Sequence, residues 1–520
     1  MTILNGSLGP DILRALKIVF LAFLAVATLA VLFAPSIKPG KTQYSLLRFV
    51  FAASLAAVLC YQASWQLLGF TDPDFVKFMR RYNRRPNAAE KQVMRGPILD
   101  RRGMVLAAPV PGDVWGRRYP LGEAAVHPLG YYHSKYGITA VERVYDPTLS
   151  GYAIDKRDDT PQLMGKALFA QRAAEGEAVT LTLDQRLQQK AYELMDGRQG
   201  AVVVMMPRTG DLLALVSSPG FDPLAPASAL INSATTPAFN RAVQGRYPPG
   251  STFKILLAGL ALDKKQSPVF ACPGDGFRMP STPPIRDSEY YAYQRKGAAW
   301  GGWGRIGLKD ALVHSSNVYF AQLGVASAPE DFNAMIARSL FNTPLTYLRS
   351  ENGDLQSARG NVPEVSKKRA LALLSIGQGE VLATPLHVAC FTAAVAGDGK
   401  MVRPRLGKDE PVEEESRLFS PQTAAQLRTM LREAVSKGTG KGANVPGLDV
   451  CGKTGTAQVA GKEDHAWFTC FAPHGHPGIV VTVLVEHGGF GARSALPVAR
   501  GLLEEADRLG YIRPAKKATP

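Results

Sequence analysis

The distribution of apolar residues separates a short N-terminal part of the chain from a much longer part that is typical of a soluble protein. Two apolar runs without charges occupy residues 18–34 and 49–70. As a helix, the first run would extend over about 26 Å, close to the thickness of a hydrocarbon core. The pattern predicts two transmembrane helices within a membrane anchor of residues 1–70. A cleaved signal peptide and a buried helix are the alternatives.

The charges that flank these runs predict the orientation of the chain. Lys38 and Lys41 lie between the runs, whereas Arg14 and Lys17 precede the first. This balance slightly favours a cytoplasmic loop with both chain ends outside. The basic segment "KFMRRYNRRP" after the second run points the other way, but long domains are translocated largely regardless of such charges. We therefore expect the long C-terminal part outside the cell membrane.

After residue 70 the apolar runs become shorter and are interrupted by glycine and proline. Residues 71–175 are predicted to be a juxtamembrane segment and a short β-rich pedestal. The stretch "AVTLTLDQRLQQKAYELM" predicts a strand and an amphipathic helix capped by Asp184. The stretch "GAVVVMMPRTGDLLALVSS" predicts a hairpin, because two apolar runs flank a turn sequence.

The remaining pattern predicts an α+β domain. Residues 251–400 show mostly helical periodicity, and strands follow in "DVCGKTGTAQVA", "HAWFTCFAP" and "GIVVTVLVEH". A closing helix is predicted in "ALPVARGLLEEADRLG". The order indicates an antiparallel sheet that combines distant parts of the chain, covered by helices and interrupted by a helical insertion. We place this domain at residues 176–508, with a basic tail at 509–520.

Composition narrows the classes of partner without identifying one. The 520 residues carry a formal net charge of +16, which suits a membrane surface, a nucleic acid or another polyanion. Aromatic residues do not alternate with the basic ones, which disfavours nucleic-acid binding. No CxxC pair occurs, so we predict neither a zinc site nor an evident disulfide framework. The five cysteines are Cys60, Cys272, Cys390, Cys451 and Cys470.

The stretch "YPPGSTFKILLAGLAL" contains the first candidate for catalysis. Lys254 follows Ser251 by three positions at the start of an apolar helix, where a cation faces the positive end of the helix dipole. Burial of this helix and its dipole both lower the pKa of Lys254, which suits a general base that acts on a Ser251 nucleophile. A serine that only caps the helix is the alternative reading.

Two further short motifs add polar groups to this pair. "SSN", residues 315–317, begins a predicted helix with a hydroxyl and an amide separated by one residue. "KTGT", residues 453–456, lies in a predicted strand that carries a cation, two hydroxyls and a glycine that permits close backbone approach. Taken singly, either motif is as readily a helix cap or an exposed strand; together and in this order they indicate a catalytic site.

The order SxxK, SxN and KTG resembles the signature of penicillin-binding proteins and serine β-lactamases. Longer segments over about residues 90–505 resemble class B penicillin-binding proteins, the monofunctional peptidoglycan transpeptidases. Among them are "RGPILDRRGMVLA", "YGITAVERVYDPTLSG", "NRAVQGRYPPGSTFK" and "IGQGEVLATPLHVA". The resemblance implies the penicillin-binding-protein fold for residues 176–508. It also implies D,D-transpeptidase activity through a serine acyl-enzyme that β-lactams inhibit.

The resemblance also implies a role for each matching residue. Ser251 would attack the penultimate D-Ala carbonyl of a stem peptide, Lys254 would accept its proton, and Ser315 would relay protons with Lys453. Asn317 would bind the substrate amide. Backbone N–H groups of Ser251 and Thr456 would form the oxyanion hole. The other residues implied in substrate binding are Thr454, Gly455, Thr456 and Ser316.

The resemblance further implies partners and location. The partners would be peptidoglycan stem peptides, β-lactams, membrane lipid and a glycosyltransferase of the SEDS type, with no cofactor and no metal. The catalytic domain would lie on the periplasmic side of a bacterial cytoplasmic membrane. A β-lactam sensor or β-lactamase, and an inactive scaffold for a cell-wall polymerase, are the alternatives. Most class B members have one membrane span, whereas two are predicted here.

Two other groups of residues could have a function or be structural. His474 and His476 could suggest a metal pair, but we predict a surface loop because no carboxylate or further histidine completes a site. Trp300 and Trp303 either line the approach to the catalytic residues or pack in the core.

Overall fold

The computed structural model describes residues 50–51, 53–55, 57–58, 94–111, 113–151, 176–230, 234–280 and 282–512. The chain divides into two units, Met1–Asn83 and Arg84–Pro520. The described residues of the first unit are helical. Within the described part of the chain, no helix has the length and apolarity needed to cross a membrane. The predicted span at 18–34, most of that at 49–70 and nearly all of the basic tail lie outside the described residues.

The elements of the second unit are numbered in chain order. The strands are β1 Ile98–Leu99, β2 Val105–Val110, β3 Asp113–Arg118, β4 Tyr132–His133, β5 Gly137–Ile138, β6 Val179–Thr180, β7 Gly200–Met205, β8 Leu212–Ser218, β9 Phe270–Pro273, β10 Gly302–Ile306, β11 Thr346–Leu348, β12 Leu355–Gln356, β13 Lys400–Val402, β14 Glu414–Arg417, β15 Cys451–Ala457, β16 His465–Ala472 and β17 Ile479–Val485. The helices are α1 Val126–Leu129, α2 Ala140–Val144, α3 Asp146–Leu149, α4 Gln185–Met195, α5 Ala227–Leu230, α6 Lys254–Asp263, α7 Ser288–Arg295, α8 Leu308–His314, α9 Asn317–Ala326, α10 Pro329–Arg338, α11 Lys368–Leu374, α12 Pro385–Ala396, α13 Pro421–Ser436 and α14 Gly491–Arg508.

A five-stranded antiparallel sheet forms the centre of the second unit. Its order is β15-β16-β17-β7-β8, so the predicted hairpin β7–β8 pairs with strands from the last quarter of the chain. β15 pairs with β16 in continuous register from Cys451 with Phe471 to Ala457 with His465. The predicted antiparallel sheet from distant segments is confirmed. β15, which carries the KTGT motif, lies at the edge of the sheet.

Helices cover both faces of this sheet. α4 and α14 pack on one face, where strand residues such as Val202 and Phe468 are buried. α12 packs on the other face, with α6 and α13 beside it and residues such as Val203 and Trp467 in their shared core. Asp184 caps α4 as predicted, because its side chain accepts a hydrogen bond from the Arg186 N–H. The mixed α+β content is therefore confirmed.

A second sheet is formed by residues near the start of the second unit. β3, β2, β1 and β6 form a four-stranded sheet in this order, and three short helices that the pattern did not predict, α1–α3, lie beside it. In α2, the fully buried Glu142 accepts hydrogen bonds from Arg95 at 2.8 Å and Arg117 at 2.7 Å. A buried carboxylate is tolerated here because both cations compensate its charge. This network ties the segment before β1 and the strand β3 to α2.

Candidate active site

A tight turn holds Ser251 against the edge strand of the sheet. Residues Gly250–Thr252 form one 3-10 turn after two prolines, and α6 starts at Lys254. Gly250 has a φ of +53°, and a Cβ at this position would lie 2.5 Å from the carbonyl oxygen of Thr456. Only glycine fits such an approach at positive φ. The close contact fixes the next residue, Ser251, beside β15.

The turn differs in one respect from the predicted start of a helix. Ser251 belongs to the 3-10 turn and does not begin or cap α6, whose N-cap residue is Phe253 without a side-chain cap. The predicted helix start is therefore wrong by three residues. The physical reason for this difference is the left-handed conformation of Gly250, with which the chain forms a tighter turn before α6 begins.

Lys254 is fully buried and its side chain points to the SSN segment. Its Nζ donates to the Ser315 carbonyl oxygen at 2.6 Å and to Asn317 Oδ1 at 2.7 Å. Ser251 and Lys254 are both described by the structure, but the expected hydrogen bond between the Ser251 hydroxyl and the Lys254 amine is not formed. The amine is held by the SSN segment instead. Catalytic hydrogen bonds are often long before substrate binds and tighten in the complex.

Burial gives Lys254 the properties of a base. Loss of solvation by burial lowers its pKa to about 7, although the negative charges of Asp287 and Glu289 partly oppose this. An amine with a pKa near neutrality is deprotonated in a large fraction of molecules and can accept a proton. The lowered pKa agrees with the sequence prediction for Lys254.

Ser315 lies between two buried amines. Lys453 Nζ donates to Ser315 Oγ at 2.7 Å, and Lys254 Nζ lies 3.5 Å from the same oxygen. Burial, and then the neighbouring Lys254 charge, lower the pKa of Lys453 well below its ordinary value. Two fully buried cations on one hydroxyl would repel each other, so the neutral form of each is favoured.

The backbone of Ser315 is held in an unusual conformation. Ser315 is the C-cap residue of α8, with φ 62° and ψ 35° in the left-handed region. A residue with a side chain is less stable there by about 1–2 kcal/mol than in its preferred regions. This conformation turns the hydroxyl toward the lysines, and strain of this kind is concentrated at functional sites.

Ser316, the middle residue of the SSN motif, has a structural role. Its side chain is fully buried, accepts a hydrogen bond from the Tyr319 N–H at 3.1 Å and donates to Asp287 Oδ2 at 3.0 Å. The hydroxyl therefore caps α9 instead of facing a ligand. The predicted substrate contact through this side chain is corrected accordingly.

Asp287 is a residue at the site that the sequence pattern did not indicate. It is buried, and its carboxylate accepts hydrogen bonds from the backbone N–H groups of Asn317 and Val318, at 3.1 Å for the latter. A carboxylate at a helix N-terminus satisfies free N–H groups and compensates the dipole. Burial raises the pKa of Asp287, and the nearby Lys254 opposes this shift. An aspartate thirty residues upstream of a motif leaves no periodic signal in the sequence.

The KTGT strand provides the other wall of the cleft. Thr454 is largely buried and its Oγ1 lies 2.7 Å from Thr439 Oγ1, whereas Thr456 is half-buried. A Cβ at Gly455 would lie 2.9 Å from both Thr252 Cγ2 and Trp467 Cβ, so the glycine lets the turn and the sheet approach. Because β15 is an edge strand, alternate backbone N–H groups face away from the sheet.

The two remaining groups of candidates lie in different surroundings. His476 is exposed and His474 half-buried in the loop between β16 and β17, and no group of metal-binding side chains occurs in the described part of the chain. Trp303 stacks on His314 with a centroid distance of 4.0 Å, and Trp300 contacts Trp303 edge-on. Because His314 directly precedes Ser315, these aromatic rings flank the site.

Comparison with known proteins gives consistent matches. Residues 200–504 match the family described as the penicillin binding protein transpeptidase domain. The peptidoglycan D,D-transpeptidase PbpA of Mycobacterium tuberculosis is 33% identical over 75% of this chain and 84% of that protein. The peptidoglycan D,D-transpeptidase MrdA of Haemophilus influenzae is 28% identical over 84% of this chain and 77% of that protein.

Solved structures show the same fold. The structure of penicillin-binding protein A from M. tuberculosis as a ceftriaxone acyl-enzyme has a TM-score of 0.70 and 31% identity, covering 80% of this chain and 99% of that chain. Pseudomonas aeruginosa PBP2 has a TM-score of 0.66 and 29% identity, covering 82% and 98%. The chain therefore belongs to the penicillin-binding protein transpeptidase family, and within it to the class B penicillin-binding proteins.

Proposed function

We propose that this protein is a serine D,D-transpeptidase that cross-links peptidoglycan stem peptides and that β-lactams inactivate by acylation. The observation that carries the proposal is the Ser315 hydroxyl between the amines of Lys254 and Lys453, next to the turn of Ser251. Buried lysines with lowered pKa can move protons at neutral pH. The proposal is supported by the activity named for PbpA and MrdA and by the acyl-enzyme of penicillin-binding protein A.

The proposed reaction consists of two acyl transfers on Ser251. Its Oγ attacks the carbonyl carbon of the penultimate D-Ala while its proton passes to Lys254. The bond to the terminal D-Ala nitrogen breaks, and this amine takes a proton through Ser315 and leaves. An amine of a second stem peptide then attacks the ester carbonyl. A new peptide bond forms, and Ser251 recovers its proton.

The other residues of the site would position the substrate. We assign the backbone N–H groups of Ser251 and Thr456 to the oxyanion hole, where one donor contributes about 2.7–4 kcal/mol to transition-state stabilisation. Thr454 and Thr456 would hold the terminal carboxylate beside the close-packed Gly455, with Thr439 orienting the first hydroxyl. Asn317 already bonds to Lys254, so its contact with the substrate amide would be made from this fixed position.

Labelling with a fluorescent penicillin tests this function. The wild-type protein should form a stable covalent adduct, located by mass spectrometry on the peptide that contains Ser251. Ser251→Ala should abolish the label. Ser366→Ala is the matched control, because it makes the same substitution at an exposed serine. Its labelling should equal that of the wild type.

The alternative functions give different results in the same experiment. Labelling that survives in Ser251→Ala would contradict the nucleophile. Rapid hydrolysis of the adduct, with release of the opened β-lactam, would indicate a β-lactamase. Absence of any adduct in the wild type would indicate a scaffold. Release of D-Ala from a pentapeptide that ends in D-Ala-D-Ala, measured in parallel, distinguishes a transpeptidase from a β-lactam sensor.

We propose the arrangement of the whole chain on the basis of its apolar runs and its family. Residues 1–70 would anchor it with two transmembrane helices, 71–175 would form the juxtamembrane segment and pedestal, 176–508 the transpeptidase domain and 509–520 a basic tail. The catalytic domain would lie on the periplasmic side of the cytoplasmic membrane, beside a glycosyltransferase of the SEDS type. Removal of residues 1–70 should release the protein from the membrane fraction. Retention there would contradict the anchor.

A further inference from the structure

A polar cavity lies at the end of the sheet where β15 stops. Its volume is about 450 Å³, within the range of about 300–1,000 Å³ that is usual for sites of small ligands. It is separate from the lysines of the cleft but shares a segment with the nucleophile, since Tyr247 is four residues before Ser251. Its polar lining consists of Gln199, Thr236, Arg241, Arg246, Tyr247, Lys462, Glu486 and His487.

One wall of the cavity is an ordered network that includes a buried cation. Arg241 is 2% exposed, and its Nε donates to Glu486 Oε1 at 3.0 Å. The Tyr247 hydroxyl donates to the same oxygen at 2.5 Å. The charges of Arg241 and Glu486 compensate each other, so this wall is rigid and close to neutral.

The lining of the cavity also contains two cations without compensation. Arg246 and Lys462 are exposed, and no ion pair joins either of them to a carboxylate among the residues that the structure describes. With Arg241 balanced by Glu486, the lining has a net charge of about +2. Such a cavity favours a ligand that carries a carboxylate, because guanidinium and ammonium groups both form charge-assisted hydrogen bonds with it.

The position of the cavity relates it to the donor peptide. If the terminal carboxylate is held at Thr454 and the reacting carbonyl at Thr456, the donor runs along β15 with its C-terminus toward Lys453. The rest of the stem then continues past Ala457, the partner of His465. The His465 ring lies 5.3 Å from the Tyr247 ring at the wall of the cavity. The cavity therefore begins where the donor leaves the strand.

We infer that this cavity is a subsite for the donor stem peptide and that it binds a carboxylate on the N-terminal side of D-Ala-D-Ala through Arg246 and Lys462. The inference rests on the proposed transpeptidase function, whose donor it extends. Arg241, Glu486 and Tyr247 position this subsite relative to Ser251. Selection of the donor would thus depend on a charge outside the reacting dipeptide.

Two synthetic pentapeptides that end in D-Ala-D-Ala test this subsite. One carries a free carboxylate on its third residue and the other carries the amide in its place. The full-length protein and the double variant Arg246→Gln, Lys462→Gln are compared by D-Ala release. We expect the variant to raise KM for the carboxylate peptide about tenfold, the loss of roughly one charge-assisted hydrogen bond, with kcat unchanged. Kinetics with the amidated peptide should not change.

The controls separate this inference from the function on which it rests. Arg500→Gln removes an exposed charge on the outer helix α14 and should leave both peptides unaffected. Benzylpenicillin acylation of Ser251 should proceed at the wild-type rate in the double variant, because this inhibitor lacks the stem. Equal losses with both peptides, or no change with either, would overturn the subsite while labelling of Ser251 still supports the transpeptidase. Absence of labelling would overturn the proposed function itself.

Discussion

The Nζ atom of Lys453 lies 2.7 Å from the hydroxyl oxygen of Ser315, while Nζ of Lys254 approaches the same oxygen to 3.5 Å. A hydroxyl can accept from one amine and donate to another only if the second amine is neutral. Because burial lowers the pKa of both lysines, one of the two amines is readily deprotonated. Ser315 is therefore placed to transfer protons between them.

Removal of the Ser315 hydroxyl tests this relay. In Ser315→Ala the two amines lose their common partner, while the backbone that Lys254 contacts remains. We expect the rate of acylation by benzylpenicillin to fall about 10²–10⁴-fold, the usual contribution of a general acid–base group. Stopped-flow or quench measurements of adduct formation give this rate. An unchanged rate would exclude Ser315 from the proton path.

Ser316→Ala is the matched control at the neighbouring residue. Ser316 caps α9 and bonds to Asp287, so its removal should reduce the free energy of unfolding by about 0.5–2 kcal/mol. Thermal unfolding measures this loss. The acylation rate of the folded protein should remain close to that of the wild type. A large loss of rate with intact stability would contradict the structural role assigned here.

The pH dependence of acylation should follow the protonation of Lys254. Its pKa is about 7, and only the neutral amine accepts the Ser251 proton. We therefore expect the acylation rate constant to rise with pH through a midpoint near 7 and to level off above it. Below the midpoint the rate should decrease about tenfold per pH unit. A profile that is flat between pH 5 and 8 would contradict a base of this pKa.

Lys254→Arg supplies a variant for the same experiment. A guanidinium retains the positive charge and hydrogen-bond donors but is not deprotonated at these pH values. Acylation should be lost across the whole range, and raising the pH should not restore it. Acylation that persists in this variant across the range would show that the residue acts through its charge and not as a base.

Asp287→Asn should shift the pH profile without removing the cap. An amide oxygen can still accept from the N–H groups of Asn317 and Val318, so α9 should remain in place. The negative charge that raises the pKa of Lys254 is lost, which leaves the effect of burial less opposed. We expect the midpoint of the acylation profile to move to lower pH. A shift to higher pH, or none with an otherwise active enzyme, would contradict the coupling between these two groups.

Gly377→Ala should displace the nucleophile. Gly377 has a φ of +70°, and its Cβ would lie 2.1 Å from the carbonyl oxygen of Gly250. Something in the turn before Ser251 must move to admit it, so acylation should slow by more than tenfold together with a loss of stability. Acylation kinetics and thermal unfolding measure the two effects.

Gly379→Ala separates conformational strain from displacement. Gly379 has a similar φ of +79°, but the nearest atoms to a Cβ there are 4.0 Å away. Its substitution should cost about 1–2 kcal/mol of folding free energy through the left-handed backbone alone, with acylation nearly unchanged. Equal loss of acylation in both variants would show that the turn responds to strain in the loop and not to direct contact.

Much of this architecture could be predicted because its signals are local. The β7–β8 hairpin follows from two apolar runs around a turn, KTGT lies on a predicted strand and SSN lies at the start of a predicted helix. The exception is Ser251, which lies in a 3-10 turn before the helix that was predicted to contain it. Asp287 could not be predicted, since its importance arises only when a distant segment meets the N-terminus of α9. The hydrogen-bond partners of the Lys254 side chain also depend on tertiary structure. The sequence places Ser251 one helical turn away, whereas the fold brings Ser315 to the amine.

Ser316 shows why a motif alone does not assign a role. Two adjacent serines in a sequence are equivalent hydroxyls, but the left-handed conformation of Ser315 turns one toward the lysines and leaves the other as a helix cap. The backbone angle that distinguishes them is set by packing of α8 and α9.

The carboxylate that caps α9 comes from the segment between β9 and β10, which is separate from all three motifs. The lysines thus have their electrostatic environment set by a part of the chain that a β-lactam does not need to touch. A compound that pulls Asp287 away from the Asn317 N–H would therefore alter the pKa of Lys254 and remove a cap of α9 without occupying the position of a penicillin. Mutations that narrow the cleft against antibiotics would give no protection from such a compound.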